Sequence, residues 1–570
     1  MDKYRRLVQM PCRHTLTSLF RVCFVFNLGF AWTCFAQTDL VHRGVPEQVQ
    51  QINQLVAEQW QAYNLRPSPP ASDAEWCRRI YLDILGRIPR VEELDDFLGS
   101  KDKDKRSQLV NRLLYDDTYT EEYARNWTTL WTNLLIGRTG GTDNNSQISR
   151  EGMQKYLRDS FARNKPYHRM VYELVTATGS PAPRNANFNG AVNFLIDKVN
   201  MDDAAQATAA TTKTFLGLQV QCTQCHNHPF NEWKQDKYWE INAFFRQTRA
   251  RNAGRRAAAM NETAELVDVD YRGPAGIQDS AEIYYDLRNG EVAVAYPVFV
   301  DGTSIERDGR VDVVNRRQKL GELIVESPYL GMTMVNRTWA HFLGYGFTKP
   351  VDDMGPHNPP SHPELLEYLT NEFRKYDYDL RSLITWIVLS QPYALSSKIS
   401  AGNKSDDPLL GETPKFSRFY VRQMRAEELY ESLVVATQAE GTQGSYEEQE
   451  RQKNLWLRQF ASAFGTDEGD ETTTFNGTIP QVLMMFNGEL MRAATSSDRG
   501  SLIARLANNP RLKDRDRFVY LFKAGLSRTP TRDELNLCEE ILKINRGNQT
   551  EALKDVWWTI LNTNEFIFNH

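Results

Sequence analysis

The segment EEYARNWTTLWTNLL, residues 121–135, indicates the fold most clearly. Its apolar residues recur at three- and four-residue spacing: Tyr123, Trp127, Leu130, Trp131, Leu134 and Leu135. In a helix of 3.6 residues per turn, this spacing gathers the side chains into one broad apolar face. The same pattern recurs at residues 153–161 and 365–373. The sequence therefore predicts a mainly α fold whose aromatic stripes form the core.

Two helix starts carry a capping-box pattern, in which a hydroxyl and a glutamate three residues later satisfy free backbone N–H groups. Ser361 and Glu364 form the first pair, and Pro363 suits the first turn because it has no N–H to lose. Thr531 and Glu534 form the second pair. We expect a helix to begin at both places.

One short β segment interrupts the helical patterns. Residues 281–302, AEIYYDLRNGEVAVAYPVFVDG, place β-forming residues on both sides of Asn289-Gly290. An Asn-Gly pair supplies the positive φ angles of a tight hairpin turn. The preceding residues 248–280 have weak periodicity and are interpreted as a loop or connector, and residues 440–475 as a mobile insertion.

The length of 570 residues exceeds what one hydrophobic core usually serves. Hydrophobic residues make up 41% of the chain and charged residues 25%, which is typical of globular proteins. The formal net charge is -5 and there is no basic block, so no nucleic-acid partner is expected. We predict a helical domain over residues 45–247, a connector with the β-hairpin over 248–314, and a second helical domain over 315–570.

Residues 1–36 have the features of a secretory signal peptide. A basic segment with Lys3, Arg5 and Arg6 precedes the apolar run VCFVFNLGFAW, and a small-residue segment ends at Ala36. The run is short for a permanent membrane helix, although an uncleaved anchor is the alternative. We therefore expect an exported protein of the periplasm, cell surface or envelope that is not an integral membrane protein after cleavage.

The most informative functional motif is QCTQCHNHPF, residues 221–230. Cys222, Cys225 and His226 have C-x-x-C-H spacing, which chance would produce about 0.001 times in a chain of this composition. Two such thiols can bond the vinyl groups of a haem while the adjacent imidazole ligates the iron. Export supports this interpretation, because haem c is attached outside the cytoplasm. The motif therefore predicts a haem c site.

Three other interpretations of the motif remain open. Cys222 and Cys225 can form a disulfide in an oxidising compartment, or act as a redox-active dithiol. The two thiols with His226 or His228 can instead bind zinc or another divalent metal. A haem would also need a sixth ligand or an open face. Second axial candidates are His341 and Met334, with further candidates at Met332, His357 and His362.

Long stretches of the first half resemble the planctomycete cytochrome-like domain of unknown function, the second type of that set. These are RRIYLDILGRIPRVEELDDFL at 78–98, NKPYHRMVYELVTATG at 164–179, and FLGLQVQCTQCHNHPFNEWKQDKYWEINAFF at 215–245. The resemblance implies an exported bacterial protein, but its cytochrome label depends on the same C-x-x-C-H. Asn227 and Asn231 stand where the family usually has acids, so cation binding would be weaker here while haem attachment would be unaffected.

The second half resembles the planctomycete-specific domain that usually follows the first. The matching stretches are MVNRTWAHFLGYGFTKPVDDMGPHNPPSHPELLEYLTNEF at 334–373, LSQPYALSS at 389–397, LSRTPTRDEL at 526–535 and WWTILNTNEFIFNH at 557–570. LSRTPTRDEL also resembles LGRIPRVEEL at 85–94, which indicates either a common helix–Pro–helix junction or an old duplication.

The polar residues of the second half allow a weaker alternative function. Asp353 and a histidine could form an acid–base pair of a polysaccharide-related hydrolase. The other interpretation is that these polar groups hold long loops together. The residues concerned are Asn336, Arg337, His341, Asp352, Asp353, His357 and His362.

The sequence thus predicts an exported c-type haem protein for redox or electron-transfer chemistry, working with a redox partner protein. The first alternative is a structural or binding module of the envelope, in which a metal or disulfide staples the Cys/His cluster. The hydrolase, with envelope polysaccharide as its partner, is the second alternative.

Overall fold

The computed structural model describes residues 46–141, 146–199, 204–251, 264–438, 445–464 and 489–570. The predicted mainly α fold is confirmed over these residues. The described residues of the first half, up to residue 251, form nine α-helices: α1 Glu47–Ala62, α2 Asp73–Leu85, α3 Val91–Gly99, α4 Lys105–Tyr115, α5 Asp117–Ile136, α6 Arg150–Ala162, α7 Tyr167–Thr176, α8 Ala205–Thr211 and α9 Gln235–Asn242.

The described part of the second half is also helical. Its helices are α10 Arg316–Glu326, α11 Pro328–Leu343, α12 Pro363–Lys375, α13 Leu380–Val388, α14 Gln391–Ala394, α15 Ala426–Thr437, α16 Tyr446–Phe464, α17 Glu489–Ala494, α18 Leu502–Ala507, α19 Asp514–Leu526, α20 Arg532–Ile544, α21 Gln549–Leu561 and α22 Asn564–Ile567.

The described strands form three antiparallel pairs. The pairs are β1 Thr248–Arg251 with β2 Glu265–Asp268, β3 Ile283–Asp286 with β4 Val292–Ala295, and β5 Arg422–Gln423 with β6 Phe568–Asn569. The hairpin predicted around Asn289-Gly290 is confirmed by β3 and β4. The loop predicted for 248–280 is corrected, because β1 and β2 pair within it around residues 252–263, which lie outside the described part.

The aromatic stripe of α5 is buried as predicted. Tyr123, Trp127 and Trp131 are each 1–3% exposed. They belong to one hydrophobic cluster that extends from Val49 in α1 to Tyr420 in the second half. A second cluster combines the C-terminal helices with apolar residues at the end of α2 and the start of α3. Both clusters draw residues from the two halves, and the predicted domain boundaries remain a prediction.

A buried carboxylate also joins the two halves. Asp83 in α2 is fully buried and accepts hydrogen bonds from Tyr393 Oη and Asn569 Nδ2, each at 2.7 Å. The guanidinium of Arg422 forms an ion pair with the same carboxylate. Because Asn569 lies in β6 and Arg422 in β5, the pairing of these strands brings both partners to Asp83.

The two predicted capping boxes differ in outcome. Thr531 accepts from the Glu534 N–H at 3.3 Å while the Glu534 carboxylate accepts from the Thr531 N–H at 2.7 Å, so this box is confirmed. A helix begins at Pro363 as predicted, but the predicted capping role of Ser361 was wrong, because His362 is the N-cap of α12 and makes no capping side-chain bond. Ser361 Oγ instead lies 2.9 Å from His362 Nδ1.

The junction between α2 and α3 is held by one arginine. Arg87 donates to Glu93 at 2.8 and 2.9 Å and to Glu122 of α5 at 2.7 Å. Arg87 comes directly after Gly86 in the sequence, and Gly86 adopts a positive φ of 72° at the end of α2. The arginine therefore ties the turn to two neighbouring helices.

The junction between α19 and α20 has the same arrangement. Arg528 donates to Glu534 at 2.8 and 2.9 Å and to Glu565 at 2.7 Å. It follows Ser527, which has a positive φ of 57°. The similarity between LGRIPRVEEL and LSRTPTRDEL thus corresponds to a shared local geometry, while duplication remains a hypothesis.

The predicted insertion at 440–475 and the predicted signal peptide at 1–36 lie partly or wholly outside the residues that the structure describes. Helix α16 occupies residues 446–464 of the insertion predicted to be mobile at 440–475, and the mobility remains a prediction; residues 439–444 and 465–488 lie outside the described part. The predicted signal peptide at 1–36 also lies outside it. Among the described helices, none is both long and apolar enough to span a membrane.

Candidate functional site

The motif follows an irregular segment at the end of α8. After Thr211 the helix widens into a π turn, Thr212–Leu216, and stops at Gly217 with φ of +64°. A Cβ at position 217 would lie 2.8 Å from Thr333 Oγ1 of α11, so only glycine fits this close approach. The chain then reaches the motif on a short 3₁₀ turn, Gln221–Gln224.

The two cysteines of the motif lie at the protein surface. Cys222 and Cys225 are free and exposed, whereas Thr223 between them is fully buried. Thr223 Oγ1 donates to the Val220 carbonyl at 2.6 Å. The buried threonine therefore anchors the turn and leaves both sulfur atoms accessible.

Helix α9 and the β3–β4 hairpin support the turn from the other side. The Gln224 carbonyl accepts from Gln235 Nε2 at 3.2 Å and from Trp239 Nε1 at 3.1 Å. Gln235 Nε2 also donates to the Asp286 carbonyl in β3 at 2.8 Å. The Trp239 ring stacks on Tyr285 with centroids 5.6 Å apart. These contacts fix the backbone between the two cysteines.

The ring of His226 is oriented by a backbone carbonyl. Its Nδ1 atom lies 2.7 Å from the Asn227 oxygen, and a carbonyl oxygen can only accept a hydrogen bond. The proton therefore belongs on Nδ1, which leaves the lone pair of Nε2 available. Metal-binding histidines commonly have this arrangement, in which one ring nitrogen donates to a carbonyl and the other binds the metal.

The ring of His228 has the opposite arrangement. Its Nδ1 atom accepts from the backbone N–H groups of Phe230 and Asn231, each at 3.2 Å. The neutral ring then carries its proton on Nε2. Ligation of a metal through Nε2 would require Nδ1 to give up both backbone bonds. His226 therefore has the better geometry for a ligand.

Asn227 and Asn231 take part in local turns. Asn227 Oδ1 accepts from the Gln235 N–H at 3.0 Å, at the start of α9. Asn231 Oδ1 accepts from the Trp233 N–H at 3.0 Å. An amide oxygen performs this function without the negative charge of a carboxylate.

A loop of the second half reaches the motif. The rings of His228 and His357 have centroids 6.4 Å apart. His357 Nε2 lies 3.0 Å from Asp353 Oδ1, and Asn358 Nδ2 donates to the Asp353 carbonyl at 2.7 Å. The structure thus brings the predicted pair of Asp353 and a histidine next to the C-x-x-C-H loop.

The same loop holds the segment that leads into the motif. Asp352 is 3% exposed and accepts from Gln219 Nε2 at 2.6 Å. Its other oxygen lies 3.2 Å from Lys213 Nζ. The Met354 N–H donates to the Gly217 carbonyl at 2.7 Å. A short loop therefore contacts three positions between 213 and 219.

The other candidate ligands lie within the protein interior. His341 Nε2 is 3.0 Å from the Asp83 carbonyl, and burial holds the pKa of this ring well below its ordinary value. Met334 is 1% exposed within the main core. Burial also lowers the pKa of His362 to about 4, and Met332 packs against the main core.

Two polar residues of the second half have structural contacts. Asn336 Nδ2 donates to Thr348 Oγ1 at 2.8 Å and to the Val351 carbonyl at 2.9 Å. Arg337 Nη1 donates to the Thr214 carbonyl at 2.9 Å. These bonds agree with the interpretation that such groups hold the loops, and they add another contact to the segment before the motif.

Sequence reasoning missed several residues that shape the site. Lys213, Gln219, Gln235 and Trp239 all support the motif, yet none belongs to a recognisable binding pattern. The four-residue spacing of Gln235 and Trp239 on one face of α9 was the available signal. Within the described ranges, no three His, Cys, Asp or Glu side chains converge closely enough to hold a metal ion. The metal and haem interpretations both remain predictions.

Comparison with known proteins identifies two family models. Residues 51–250 match PSCyt2, described as a protein of unknown function (DUF1549), and residues 316–542 match PSD1, described as a protein of unknown function (DUF1553). No curated protein and no solved structure shows significant similarity to the chain. The matches occur in the order that the sequence resemblance predicts, and together they cover most of the chain. The chain therefore belongs to the proteins in which a PSCyt2 domain is followed by a PSD1 domain.

Proposed function

We propose that this chain is an exported c-type haem protein that carries out redox chemistry in the bacterial cell envelope. Cys222 and Cys225 would attach the haem through thioether bonds and His226 would bind its iron. One observation carries the proposal: His226 Nδ1 is bonded to the Asn227 carbonyl, so Nε2 is available beside two exposed thiols.

The arrangement of the motif fits covalent haem attachment. The reaction needs two accessible thiols at fixed spacing and an adjacent imidazole whose free nitrogen can reach iron. Thr223 is buried between the cysteines, so its hydrogen bond to Val220 holds the turn while the thiols remain outside. Phe230 is 84% exposed and lies beside the His228 ring, which provides an apolar surface that a macrocycle could cover.

The haem would supply reversible one-electron chemistry at its iron. The chain's own contribution would be to hold His226 in a single orientation through the Asn227 carbonyl. The bonds from Gln235 and Trp239 to the Gln224 carbonyl would limit movement of the attachment turn. Such a rigid site suits electron transfer to a redox partner protein.

The metal-staple alternative has less support from the geometry. A zinc site made from Cys222, Cys225 and two histidines needs four converging ligands. The Nδ1 atom of His228 is already an acceptor for two backbone N–H groups, which places the proton on the nitrogen that would bind the metal. Elemental analysis and an absorption spectrum separate the hypotheses. A haem protein contains iron and shows a Soret band, whereas a protein with a zinc staple contains zinc and shows no Soret band.

One contact favours a second candidate function. Asp353 and His357 lie 3.0 Å apart, which is the geometry of a carboxylate that orients an acid–base histidine. This pair would support a hydrolase acting on envelope polysaccharide or its esters. Hydrolysis that survives Cys222→Ala and is lost in Asp353→Asn would favour this candidate over the haem protein.

The main proposal is tested by maturation of the full chain. The protein is expressed with a secretion signal and the haem c maturation machinery, then denatured, separated on a gel and stained for haem. We expect a stained band for the unaltered chain and none for Cys222→Ala with Cys225→Ala. Cys538→Ala is the matched control, since this buried cysteine lies in the second cluster and its loss should leave the stain unchanged. An unstained wild-type band, in cells that mature a control cytochrome c, contradicts the proposal.

A further inference from the structure

A buried carboxylate of the second domain, Asp352, contacts the segment of the first domain that immediately precedes the motif. Asp352 is 3% exposed, and both its oxygens engage residues of the first domain. Oδ1 accepts from Gln219 at 2.6 Å, and Oδ2 lies 3.2 Å from the ammonium group of Lys213. A buried carboxylate is costly unless its oxygens are paired, so this position is strongly specified.

These contacts lie on both sides of Gly217, the residue that ends the π turn. Lys213 is in the turn, whereas Gln219 lies two residues beyond Gly217 and three residues before Cys222. The Met354 N–H binds the Gly217 carbonyl between them. The close approach of Thr333 and Met354 to Gly217 leaves no room for a Cβ there. The segment is therefore clamped at its start, middle and end.

The clamp fixes where the motif begins. From Gln219 to Thr223, the chain makes short local turns, with the Val220 N–H bonded to Leu218 and the Thr223 N–H to Val220. Because these turns are held by local hydrogen bonds, the position of Gln219 largely determines where the two cysteines lie. The two cysteines are free and exposed, so their position depends on the bonded residues that precede them.

We propose that Asp352 of the PSD1 domain is a positioning residue for the C-x-x-C-H site of the PSCyt2 domain. The two domains would then form one functional unit, in which the second domain sets the orientation of the attachment turn through Gln219 and Lys213. The redox consequence rests on the proposed function. The positioning itself does not, because it concerns only the protein's own contacts.

Hydrogen exchange on the full chain without haem tests the positioning. Asp352→Ala removes charge-assisted bonds, and we expect amides of residues 218–228 to exchange about tenfold faster or more. Amides of α5 should keep their wild-type protection. Asp352→Asn keeps an oxygen that can accept from Gln219. Amides of residues 218–228 in this variant should therefore exchange more slowly than in Asp352→Ala and faster than in wild type.

Asp268→Ala is the matched control. The side chain of Asp268 is only 6% exposed, and its carboxylate pairs with Arg317 at 2.9 Å, away from the motif contacts described above. Its loss should leave exchange at 218–228 within about twofold of wild type, relative to α5. If Asp352→Ala prevents folding, Gln219→Leu breaks the same bond from the first domain and should give the same local effect. Equal exchange at 218–228 in wild type and Gln219→Leu would overturn the proposal.

The haem-loaded protein gives a second readout. The midpoint potential should shift in Asp352→Asn and remain at the wild-type value in Asp268→Asn, because only the first variant changes the support of the attachment turn. An unchanged potential in Asp352→Asn, with unchanged exchange, contradicts the positioning role. Absence of covalent haem in the wild type would contradict the proposed function, while the exchange result would still decide the role of Asp352.

Discussion

The imidazole rings of His228 and His357 lie 6.4 Å apart, although the two residues belong to different domains and are separated by more than a hundred residues in sequence. The loop that carries His357 also carries Asp352, whose bonds to Gln219 and Lys213 hold the approach to the motif. The most conspicuous sequence feature of the first domain is therefore supported by the second domain. This contact gives a physical reason for the two domains to occur in one chain.

The two histidines of the motif should be found as opposite tautomers. Hydrogen bonding places the proton of His226 on Nδ1 and that of His228 on Nε2. Long-range ¹H–¹⁵N NMR of the haem-free protein at a pH where both rings are neutral distinguishes the two forms. Observation of the same tautomer at both positions would contradict the geometry on which the ligand assignment depends.

Loss of Asp83 should destabilise the protein strongly. Asp83→Asn leaves the guanidinium of Arg422 without its buried counter-charge, and we expect about 3 kcal/mol lower free energy of unfolding. Denaturant unfolding measures the change, with exposed Asp312→Asn as the control that should cost less than about 0.5 kcal/mol. A cost below about 1 kcal/mol for Asp83→Asn would show that this network does not hold the halves together.

The ion pair between Arg528 and Glu534 should make the free energy of unfolding decrease at acidic pH. Hydrogen bonds from Arg528 lower the pKa of Glu534 to about 2, from an ordinary value of 4.5. A lowered carboxylate pKa stabilises the folded state above pH 4.5, and this contribution disappears as the pH falls towards 2. Because the carboxylate is 30% exposed, solvent screening limits the contribution to about 1–2 kcal/mol.

Urea unfolding of Glu534→Gln across this pH range provides the measurement. The variant should be less stable than wild type at pH 7, and the two stabilities should converge near pH 2. A constant difference between wild type and variant from pH 7 to pH 2 would mean that ionisation of Glu534 contributes nothing.

Burial of His362 should produce a second acid-sensitive range. Its pKa is lowered to about 4 mainly by desolvation, while the ring in the unfolded chain titrates near 6.5. Between these values the unfolded state binds a proton that the folded state does not, so stability rises with pH and levels off above 6.5. The contribution over this range is about 3 kcal/mol.

Replacing His362 with glutamine should flatten this part of the profile. The measurement is the free energy of unfolding at pH 4.5 and pH 7.5 in wild type and His362→Gln. Wild type should lose more stability than the variant on acidification. Equal losses in the two proteins would show that His362 is not the titrating group.

The sequence predicts the elements that depend on local pattern. The α5 stripe is buried as its spacing indicates, and the Asn289-Gly290 turn joins β3 and β4. The Thr531 box forms because its hydroxyl and glutamate lie within one helical turn. Local prediction fails at Ser361, where the hydroxyl faces His362 instead. It also fails at β1 and β2, which lack the Asn-Gly turn signal that marks the pairing of β3 and β4.

The site was only partly predictable for a different reason. Cys222, Cys225 and His226 are recognisable because their chemistry requires fixed spacing in sequence. The bond from Gln219 to Asp352 joins residues 133 positions apart, and no periodicity relates them. The orientation of the two imidazoles depends on individual backbone groups, which a sequence pattern does not contain. His226 is oriented by the carbonyl of its neighbour Asn227, whereas the ring of His341 contacts the carbonyl of the distant Asp83.

Mass analysis of the motif peptide tests the central claim most directly. The full chain, matured with the haem c machinery, is denatured and digested, and the peptide containing Cys222, Cys225 and His226 is isolated. We predict that this peptide carries one haem through both cysteines and that Cys222→Ala with Cys225→Ala abolishes the modification while Cys538→Ala does not. Recovery of the wild-type peptide with both thiols unmodified, or joined only to each other, would contradict the account.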